Sequence, residues 1–387
     1  MKKVPRLRFR GFQEDWELCK VKDFLIESKI KGSNGKIAKK LTVKLWRKGI
    51  VAKEEVYEGS LATQYYVRKS GQFMYGKLDF LNQAFGIVPI ELDGYESTVD
   101  SPSFDFKPLV DSVFFLEYVS LEKFYKYQGN IANGSRKAKR IHVETFFNMP
   151  LPTPSYKEQQ KIGTLFKQLD DTITLHQRKL EQLKELKKAY LQLMFVPTNT
   201  KNNKVPKLRF ANFEENWELC KLENIIEKQI KGKAKVENLC NGSVEYLDAN
   251  RLNGGKPIYT KALPDVSERD IIILWDGSKA GKVYYGFKGV LGSTLKAYQL
   301  KECANSQFIY QQLLDNQNNI YNNYRTPNIP HVVKNFSSIF PIWMTSFEEQ
   351  SQMADILSNL DNRIILQQNL TDTMISLKKS YLQNMFI

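Results

Sequence analysis

The chain has 387 residues, of which 42% are hydrophobic, and its mean hydropathy is −0.44, so it reads as a soluble globular protein of two or three domains at roughly 150 residues each. Lysine and arginine outnumber aspartate and glutamate by 57 to 42, and the resulting net charge of +15 favours a polyanionic partner, nucleic acid above all. The basic start MKKVPRLRFRGF is followed by no apolar segment and the chain has no run of 18 apolar residues, which argues against a signal peptide or a transmembrane helix and predicts a cytoplasmic protein.

The first element, residues 4–20, recurs later in the chain. It reads VPRLRFRGFQEDWELCK, and residues 205–221 read VPKLRFANFEENWELCK, identical at 12 of 17 positions. Cys19 and Cys220 are therefore two copies of one position and do not suggest a disulfide. A duplication of this length predicts two homologous units within the chain.

Residues 22–157 combine aromatic and β-branched runs with Gly, Asn and Pro, which predicts an α+β unit with several short strands. Within it, residues 29–77 carry 12 Lys or Arg against three Glu, and residues 123–140 carry six basic residues and no acid. Taken singly, such a cluster is as typical of a solvated surface as of a DNA contact. The DNA-binding residues predicted in this unit are Lys31, Lys36, Lys39, Lys40, Arg47, Lys48, Tyr65, Arg68, Lys69, Lys77, Arg136, Lys137, Lys139 and Arg140.

Residues 158–195 and 349–386 form a second repeated element, offset by 191, which shares EQ, LD and LKKxYLQxMF. Apolar residues recur at steps of four and three in the same register in both copies, the pattern of a coiled-coil seam. At about 1.5 Å per residue each segment would form a rod of roughly 57 Å, too long to bury its apolar stripe alone. We therefore predict that the two helices pair, with polar seam positions such as His176, Lys187 and Lys378 fixing the register. The partner-binding positions predicted on the seam are Leu169, Leu180, Tyr190, Leu360, Met374 and Tyr381.

Residues 196–204 lack acidic and aromatic residues and predict a linker, and residues 222–348 predict a second α+β unit. Here the basic residues concentrate in 276–301, where five lysines face only Asp276, and we expect 231–235, 276–296 and 325–331 to contact the DNA. Arg and Lys would meet guanine or phosphate, and Asn or Gln would meet adenine. The DNA-binding residues predicted in this unit are Lys231, Lys233, Lys235, Ser278, Lys279, Lys282, Tyr284, Thr294, Lys296, Arg325 and Asn328.

The sequence offers little for catalysis. Residues 277–283, GSKAGKV, imitate a phosphate-binding loop but are one residue short and end in Val where Ser or Thr should meet magnesium. The triplet Glu185-Leu186-Lys187 resembles the tail of a nuclease motif but falls in the predicted coiled coil. The four cysteines form no CxxC pair, and with three histidines they give no zinc-ligand spacing. The sequence predicts no catalytic residue, no metal site and no cofactor bound by this chain.

The order of globular unit, helix, linker with VPKLRF and WELCKL, second globular unit and second helix resembles the specificity (S) subunit of type I restriction-modification systems over essentially the whole chain. The fold that the resemblance implies is α+β, with two target recognition domains joined by two long antiparallel coiled-coil helices in an internal pseudo-two-fold repeat. The predicted segments are 1–157, the first recognition domain; 158–195, the first spacer helix; 196–210, the linker; 211–348, the second recognition domain; and 349–387, the second spacer helix.

The resemblance also implies a function. Each globular unit would read one half of a bipartite double-stranded DNA target, and the helices would set the distance between the halves and dock two modification subunits. Those subunits would bring S-adenosylmethionine and methylate adenine N6, while restriction subunits would use ATP and magnesium. Two alternatives remain on sequence grounds: an enzyme that modifies DNA alone, and a coiled-coil adaptor whose basic surface binds RNA or an acidic protein.

Overall fold

The computed structural model describes residues 4–54, 60–131, 140–197, 204–235 and 242–387. The chain divides into two compact units, of which the first consists of two pieces of the chain and the second of one continuous segment. Unit 1 comprises Met1–His176 and Leu370–Ile387, and unit 2 comprises Gln177–Asn369. Each unit therefore contains part of both long helices.

The elements alternate short strands with short helices until each long helix begins. In the first half the strands are β1 (Glu17–Lys20), β2 (Leu25–Ser28), β3 (Lys31–Asn34), β4 (Leu41–Val43), β5 (Ile50–Ala52), β6 (Gln64–Val67), β7 (Phe73–Tyr75), β8 (Phe85–Ile87), β9 (Glu96–Ser97), β10 (Ser103–Phe106) and β11 (Pro150–Thr153). The helices there are α1 (Ser112–Val119), α2 (Glu122–Ile131), α3 (Val143–Phe147) and the long α4 (Tyr156–Met194).

In the second half the strands are β12 (Glu218–Lys221), β13 (Ile226–Lys231), β14 (Val244–Leu247), β15 (Ile258–Thr260), β16 (Ile271–Leu274), β17 (Val283–Tyr284), β18 (Val290–Leu291), β19 (Leu295–Leu300) and β20 (Pro341–Met344). The helices are α5 (Leu222–Ile225), α6 (Ala249–Leu252), α7 (Ser306–Asp315), α8 (Gln317–Asn323), α9 (Phe336–Ile339) and the long α10 (Phe347–Asn384).

The two units share a sheet topology that their sequences hardly reveal. Unit 1 has an antiparallel sheet in the order β2-β10-β7-β8, and unit 2 has one in the order β13-β19-β16-β17. The strands correspond one to one in chain order. The smaller sheets differ, since unit 1 has β3-β6-β9 and β4-β5 where unit 2 has β15-β14-β18. The repeat thus extends into the globular segments, and the two units diverge in the strands outside the four-stranded sheet.

The repeated sequence at the start of each half builds the same junction in both units. Strand β1 pairs with β11, and β12 pairs with β20, immediately before each long helix. Arg8 grips the carboxylate of Glu158 at 2.7 and 2.8 Å, and Arg209 grips Glu349 at the same two distances. Both carboxylates are fully buried, so each bidentate pair satisfies a charge that water cannot reach.

Aromatic and branched side chains connect sheet and helices in each core. In unit 1, Phe73 and Phe104 of the sheet pack in one cluster with Phe166 of α4 and with Phe386, which follows the end of α10 in the sequence. In unit 2, Ile271 of the sheet packs in one cluster with Phe308 of α7 and Leu357 of α10. Asp111 and Asn305 cap α1 and α7 by accepting from the amide nitrogen three residues on, which fixes where these helices begin.

The long helices run in opposite directions within each unit. In unit 1, Asp170 of α4 contacts Lys378 of α10, while the earlier Phe166 contacts the later Phe386. In unit 2, Lys187 of α4 contacts Asp361 of α10 at 2.5 Å, while the later Met194 packs in one cluster with the earlier Met353. The predicted α+β fold with two repeated units and two long antiparallel helices is confirmed.

Candidate nucleic-acid interface

The basic segment of unit 1 is carried by β3 and the connections on either side of β4. The side chains of Lys31, Lys36, Lys39 and Lys48 are exposed there, and Lys69 is exposed in the turn after β6. No carboxylate is paired with these five lysines within the described residues, so each charge is exposed to solvent. A surface of this kind attracts a phosphate backbone.

A half-buried carboxylate holds the loop that carries these lysines. Glu96 accepts from the backbone nitrogen of Ser33 at 2.7 Å and from its hydroxyl at 2.9 Å. On the other side, the amide of Gln64 donates to the carbonyl of Gly32 at 3.1 Å. Lys40 lies over the ring of Tyr65, 5.7 Å from its centroid. The loop is therefore fixed by its own unit while most of its lysine side chains extend outward.

Arg68 is not on this surface, contrary to the sequence prediction. Its side chain is only 2% exposed, and its guanidinium donates to the hydroxyls of Ser97 and Ser103 and to three backbone carbonyls. Burial lowers its pKa to about 10. The burial arises because Arg68 follows β6, where it lies between two sheets, a placement that no local pattern reveals. We therefore exclude Arg68 from the DNA-facing set and assign it a structural role.

Arg47 also points inward, since it makes two 2.7 Å hydrogen bonds to Glu117 of α1. It sits in the β4-β5 turn, where Trp46 and Arg47 both have left-handed backbone (φ 57° and 55°), a costly conformation for such residues. Backbone bonds from Trp46 to Asn82 and from Arg47 to Gln83 hold the turn. Arg47 thus anchors a rigid hairpin whose tip exposes Lys48 and Trp46, a residue that the basic pattern alone did not single out.

The remaining predicted residues of unit 1 have mixed positions. Lys77 is half-buried, and burial lowers its pKa. Arg140 is exposed and lies 3.2 Å from the carboxylate of Asp100. Arg136, Lys137 and Lys139 lie outside the described residues.

The three segments predicted to face DNA in unit 2 come together. Lys231 in β13 stands opposite Lys296 in β19, with Lys233 and Lys235 exposed just beyond. The ammonium of Lys296 lies 3.3 Å from the ring centroid of Trp275, and burial followed by the charge of Lys231 lowers the pKa of Lys296. The result is a basic edge built on adjacent strands.

The loops after β16 and before α9 join this edge. Asp276 bridges His331 through backbone hydrogen bonding, and the nitrogen of Gly277 donates to the carbonyl of Pro330 at 3.0 Å. Arg325 lies over the ring of Tyr321 at 4.7 Å and also donates to the carbonyl of Ser278. The exposed predicted residues on these loops and on the turn before β19 are Ser278, Lys279, Thr294 and Asn328.

Two predicted residues of unit 2 contact Asn253, and one of them is buried. Tyr284 is buried, and its hydroxyl accepts from the amide of Asn253 at 3.0 Å. The ammonium of Lys282 donates to the same side chain of Asn253. Tyr284 is therefore a packing residue of β17, a strand whose two residues are both buried, which argues against the predicted contact with DNA.

The loop that imitates a phosphate-binding motif is a hairpin turn between β16 and β17. The backbone nitrogens of Ala280, Gly281 and Lys282 donate to carbonyls of the same hairpin, and a strand follows the loop where a helix would be required. These amides are therefore not available to hold a phosphate. Among the described residues no group of three or more His, Cys, Asp or Glu is arranged to hold a metal ion.

The seam residues predicted to bind a partner are buried or half-buried by this chain itself. Leu169, Leu180 and Leu360 are buried, and Tyr190, Met374 and Tyr381 are half-buried. The three leucines thus pack within this chain and leave little surface for another chain. In the described part of the chain no helix is long and apolar enough to cross a membrane.

Known proteins resemble the chain in sequence and fold. The type I restriction enzyme MjaVIII specificity subunit of Methanocaldococcus jannaschii is 32% identical over 181 residues, which are 44% of this chain and 42% of that relative. The chain thus matches less than half the length of this curated relative.

Two solved structures share the fold. The S subunit of a type I restriction-modification system from M. genitalium has a TM-score of 0.67 at 13% identity, with 99% of both chains covered. A chain from a structural study of type I restriction-modification assembly has a TM-score of 0.52 at 13% identity, with 96% of this chain and 97% of that chain covered. A family model described as the type I restriction modification DNA specificity domain matches residues 95–185 and 214–374. Because this match covers well over half of the chain, once in each repeat, the chain belongs to the type I restriction-modification DNA specificity family.

Proposed function

We propose that this chain is the DNA sequence-specificity subunit of a type I restriction-modification complex and that each unit reads one half of a bipartite duplex target. One observation carries the proposal. The two units share a junction and a four-stranded sheet, yet they present different exposed basic and polar side chains from the loops of that scaffold. A duplicated scaffold with divergent loops suits two readers of two different half-sites.

The chemistry of the surfaces agrees with such a division. Exposed lysines such as Lys36 and Lys279 would neutralise phosphates and position the protein, which contributes affinity without sequence information. Sequence would be read by other side chains on the loops, through hydrogen bonds and apolar contacts with the edges of the bases.

The chain would act without catalytic residues of its own. Two modification subunits would dock on it and supply S-adenosylmethionine for methylation of adenine N6, and restriction subunits would supply ATP- and magnesium-dependent cleavage. The duplicated junction, with its Arg8 and Arg209 pairs, supports two equivalent docking positions. We place the complex in the cytoplasm.

The proposal is tested by mapping methylated bases on DNA from cells that carry the chain with its partner subunits. We expect a two-part asymmetric motif with a gap of unspecified bases. Exchange of residues 22–157 for the corresponding segment of another family member should replace one half of the motif and leave the other. Persistence of both halves would contradict the modular assignment.

A second experiment distinguishes the proposal from its alternatives. The isolated chain is incubated with DNA and S-adenosylmethionine, and we expect no methyl transfer; turnover would identify an enzyme. The isolated chain should also prefer some duplex sequences at raised salt, where nonspecific binding weakens. Equal affinity for all duplexes and for RNA would identify an adaptor.

A further inference from the structure

One loop is clamped in the same way in both units. In unit 1 this loop follows β7, and the backbone nitrogen of Gly76 donates to the carbonyl of Ala84. The backbone nitrogen of Lys77 donates to the carbonyl of Asp100, and the carbonyl of Lys77 accepts from the backbone nitrogen of Ile141. In unit 2 it follows β16, where Leu274 donates to Lys282 and Trp275 donates to Thr294. The carbonyl of Trp275 likewise accepts, from Val332. Each of these six hydrogen bonds measures 2.8 or 2.9 Å.

The residue after the clamped position differs in chemistry between the units. It is Leu78 in unit 1, whose side chain is 51% exposed, and the exposed Asp276 in unit 2. Because the preceding residue is held on both sides by backbone hydrogen bonds, the direction of each of these side chains is set by the scaffold. The two positions are structural equivalents that carry an apolar and an acidic group.

The two positions differ in their electrostatic surroundings. Beside Leu78, Arg140 and Lys29 are paired with the carboxylates of Asp100 and Glu27, so the charge there is balanced. Asp276 interacts electrostatically with Lys296, which stands opposite Lys231, so its surroundings are basic. Within the described residues the carboxylate of Asp276 accepts no hydrogen bond and forms no ion pair closer than 4.0 Å. An unpaired carboxylate on a surface that faces phosphates repels them, so its presence requires a compensating contact.

We propose that this equivalent position reads a base edge in each half-site, with Asp276 accepting a hydrogen bond from the exocyclic amino group of cytosine or adenine and Leu78 contacting the methyl group of thymine. The inference rests on the proposed function. Carboxylates read cytosine N4 in the major groove, and apolar side chains pack on the thymine methyl. Neither group contacts a phosphate favourably, which separates their role from that of the lysines around them.

The experiment uses the full chain and a pool of DNA duplexes randomised over the length of both half-sites. Duplexes bound at raised salt are selected and sequenced for the wild type, Asp276→Ala and Leu78→Ala. We expect Asp276→Ala to lose preference at one position of one half-site, by about tenfold in affinity, and to bind the unselected pool more tightly because a repulsive charge is gone. Leu78→Ala should lose one position of the other half-site, with unchanged affinity for the unselected pool.

A base substitution gives an independent readout for Leu78. Uracil in place of the thymine that Leu78 contacts removes only the methyl group. The wild type should lose about fourfold in affinity for that duplex, and Leu78→Ala should be insensitive to the exchange. Glu268→Ala, at the opposite end of β16 from Asp276, and Leu18→Ala, an exposed leucine of β1, serve as matched controls that should leave the selected sequence unchanged.

The outcomes separate this inference from the function on which it rests. If the wild type selects no sequence, the proposed function fails, and the inference fails with it. If the wild type selects a bipartite sequence and both variants select the same one, only the inference is overturned. A parallel rise in affinity of Asp276→Ala for selected and unselected duplexes would show that the carboxylate only repels DNA, and would overturn its assignment as a reader.

Discussion

The ammonium nitrogen of Lys378 lies 2.6 Å from one carboxylate oxygen of Asp170 and 2.7 Å from the other, joining α10 to α4 inside unit 1. The same nitrogen lies 3.4 Å from Glu117, which is also held by Arg47. In unit 2 Lys187 pairs with Asp361 in the corresponding way. The seam lysines, which interrupt the heptad pattern, thus each have a carboxylate partner that specifies the antiparallel register.

We predict that Lys378→Met destabilises unit 1 and leaves unit 2 unaffected. Methionine keeps the apolar length of the side chain but removes the charge, and the cost should be about 1–2 kcal/mol, since Glu117 keeps Arg47 and Asp170 is partly exposed. Hydrogen exchange resolved by peptide should show lost protection in unit 1. Lys379→Met, at the exposed neighbouring position, is the control, and equal effects of the two variants would contradict the assignment.

A pH effect follows from Glu117, whose side chain is only 1% exposed. Burial favours its neutral form, but Arg47 and Lys378 outweigh burial and lower its pKa below the ordinary 4.5. This carboxylate therefore stabilises unit 1 fully above pH 4.5, and the contribution is lost as the pH falls through the folded-state pKa.

Glu117→Gln should accordingly flatten the acid side of the stability profile of unit 1 and lower its stability at neutral pH. Urea unfolding at a series of pH values measures both. Glu122→Gln, an exposed carboxylate of α2, should leave the profile nearly unchanged. If the free energy of unfolding of Glu117→Gln falls at acidic pH as steeply as that of the wild type, other carboxylates control the acid denaturation of unit 1.

The duplicated junction predicts unequal effects of equivalent mutations. Arg8→Ala removes the partner of the buried Glu158 and should cost about 3 kcal/mol. Arg209→Ala should cost less, because Glu349 also accepts from the indole of Trp217 at 3.2 Å and from the hydroxyl of Thr345. Thermal or urea unfolding of both variants measures the difference; a larger loss for Arg209→Ala would contradict this account.

The salt dependence of DNA binding should identify the phosphate contacts. Lys36→Ala and Lys279→Ala should each reduce the slope of log affinity against log salt by about 1, since each removes one charge from an exposed loop. Lys184→Ala, exposed on α4, is the matched control and should keep the wild-type slope. A slope that falls equally in all three variants would indicate only an effect of net charge.

The duplication, the long helices and the α+β units could be predicted because they leave local marks: 12 identities in 17 residues and a four-three apolar spacing. The inward positions of Arg68 and Tyr284 could not, because each depends on contacts with segments about 30 or more residues away in the sequence, Ser97 and Ser103 for Arg68 and Asn253 for Tyr284. The four-stranded sheet common to both units was equally hidden, since β7 (FMY) and β16 (IIIL) satisfy the same buried positions with different residues.

The composition of unit 1 has a consequence for the order of folding. Phe386 packs against Trp16, Phe114 and Tyr118, and Tyr118 also donates to the carbonyl of Ile387. The aromatic core that contains Trp16 is therefore completed only by residues 370–387, which are synthesised hundreds of residues after it. Unit 2 is one continuous segment, Gln177–Asn369, and can complete its contacts earlier, so the unit whose synthesis starts first completes its fold last.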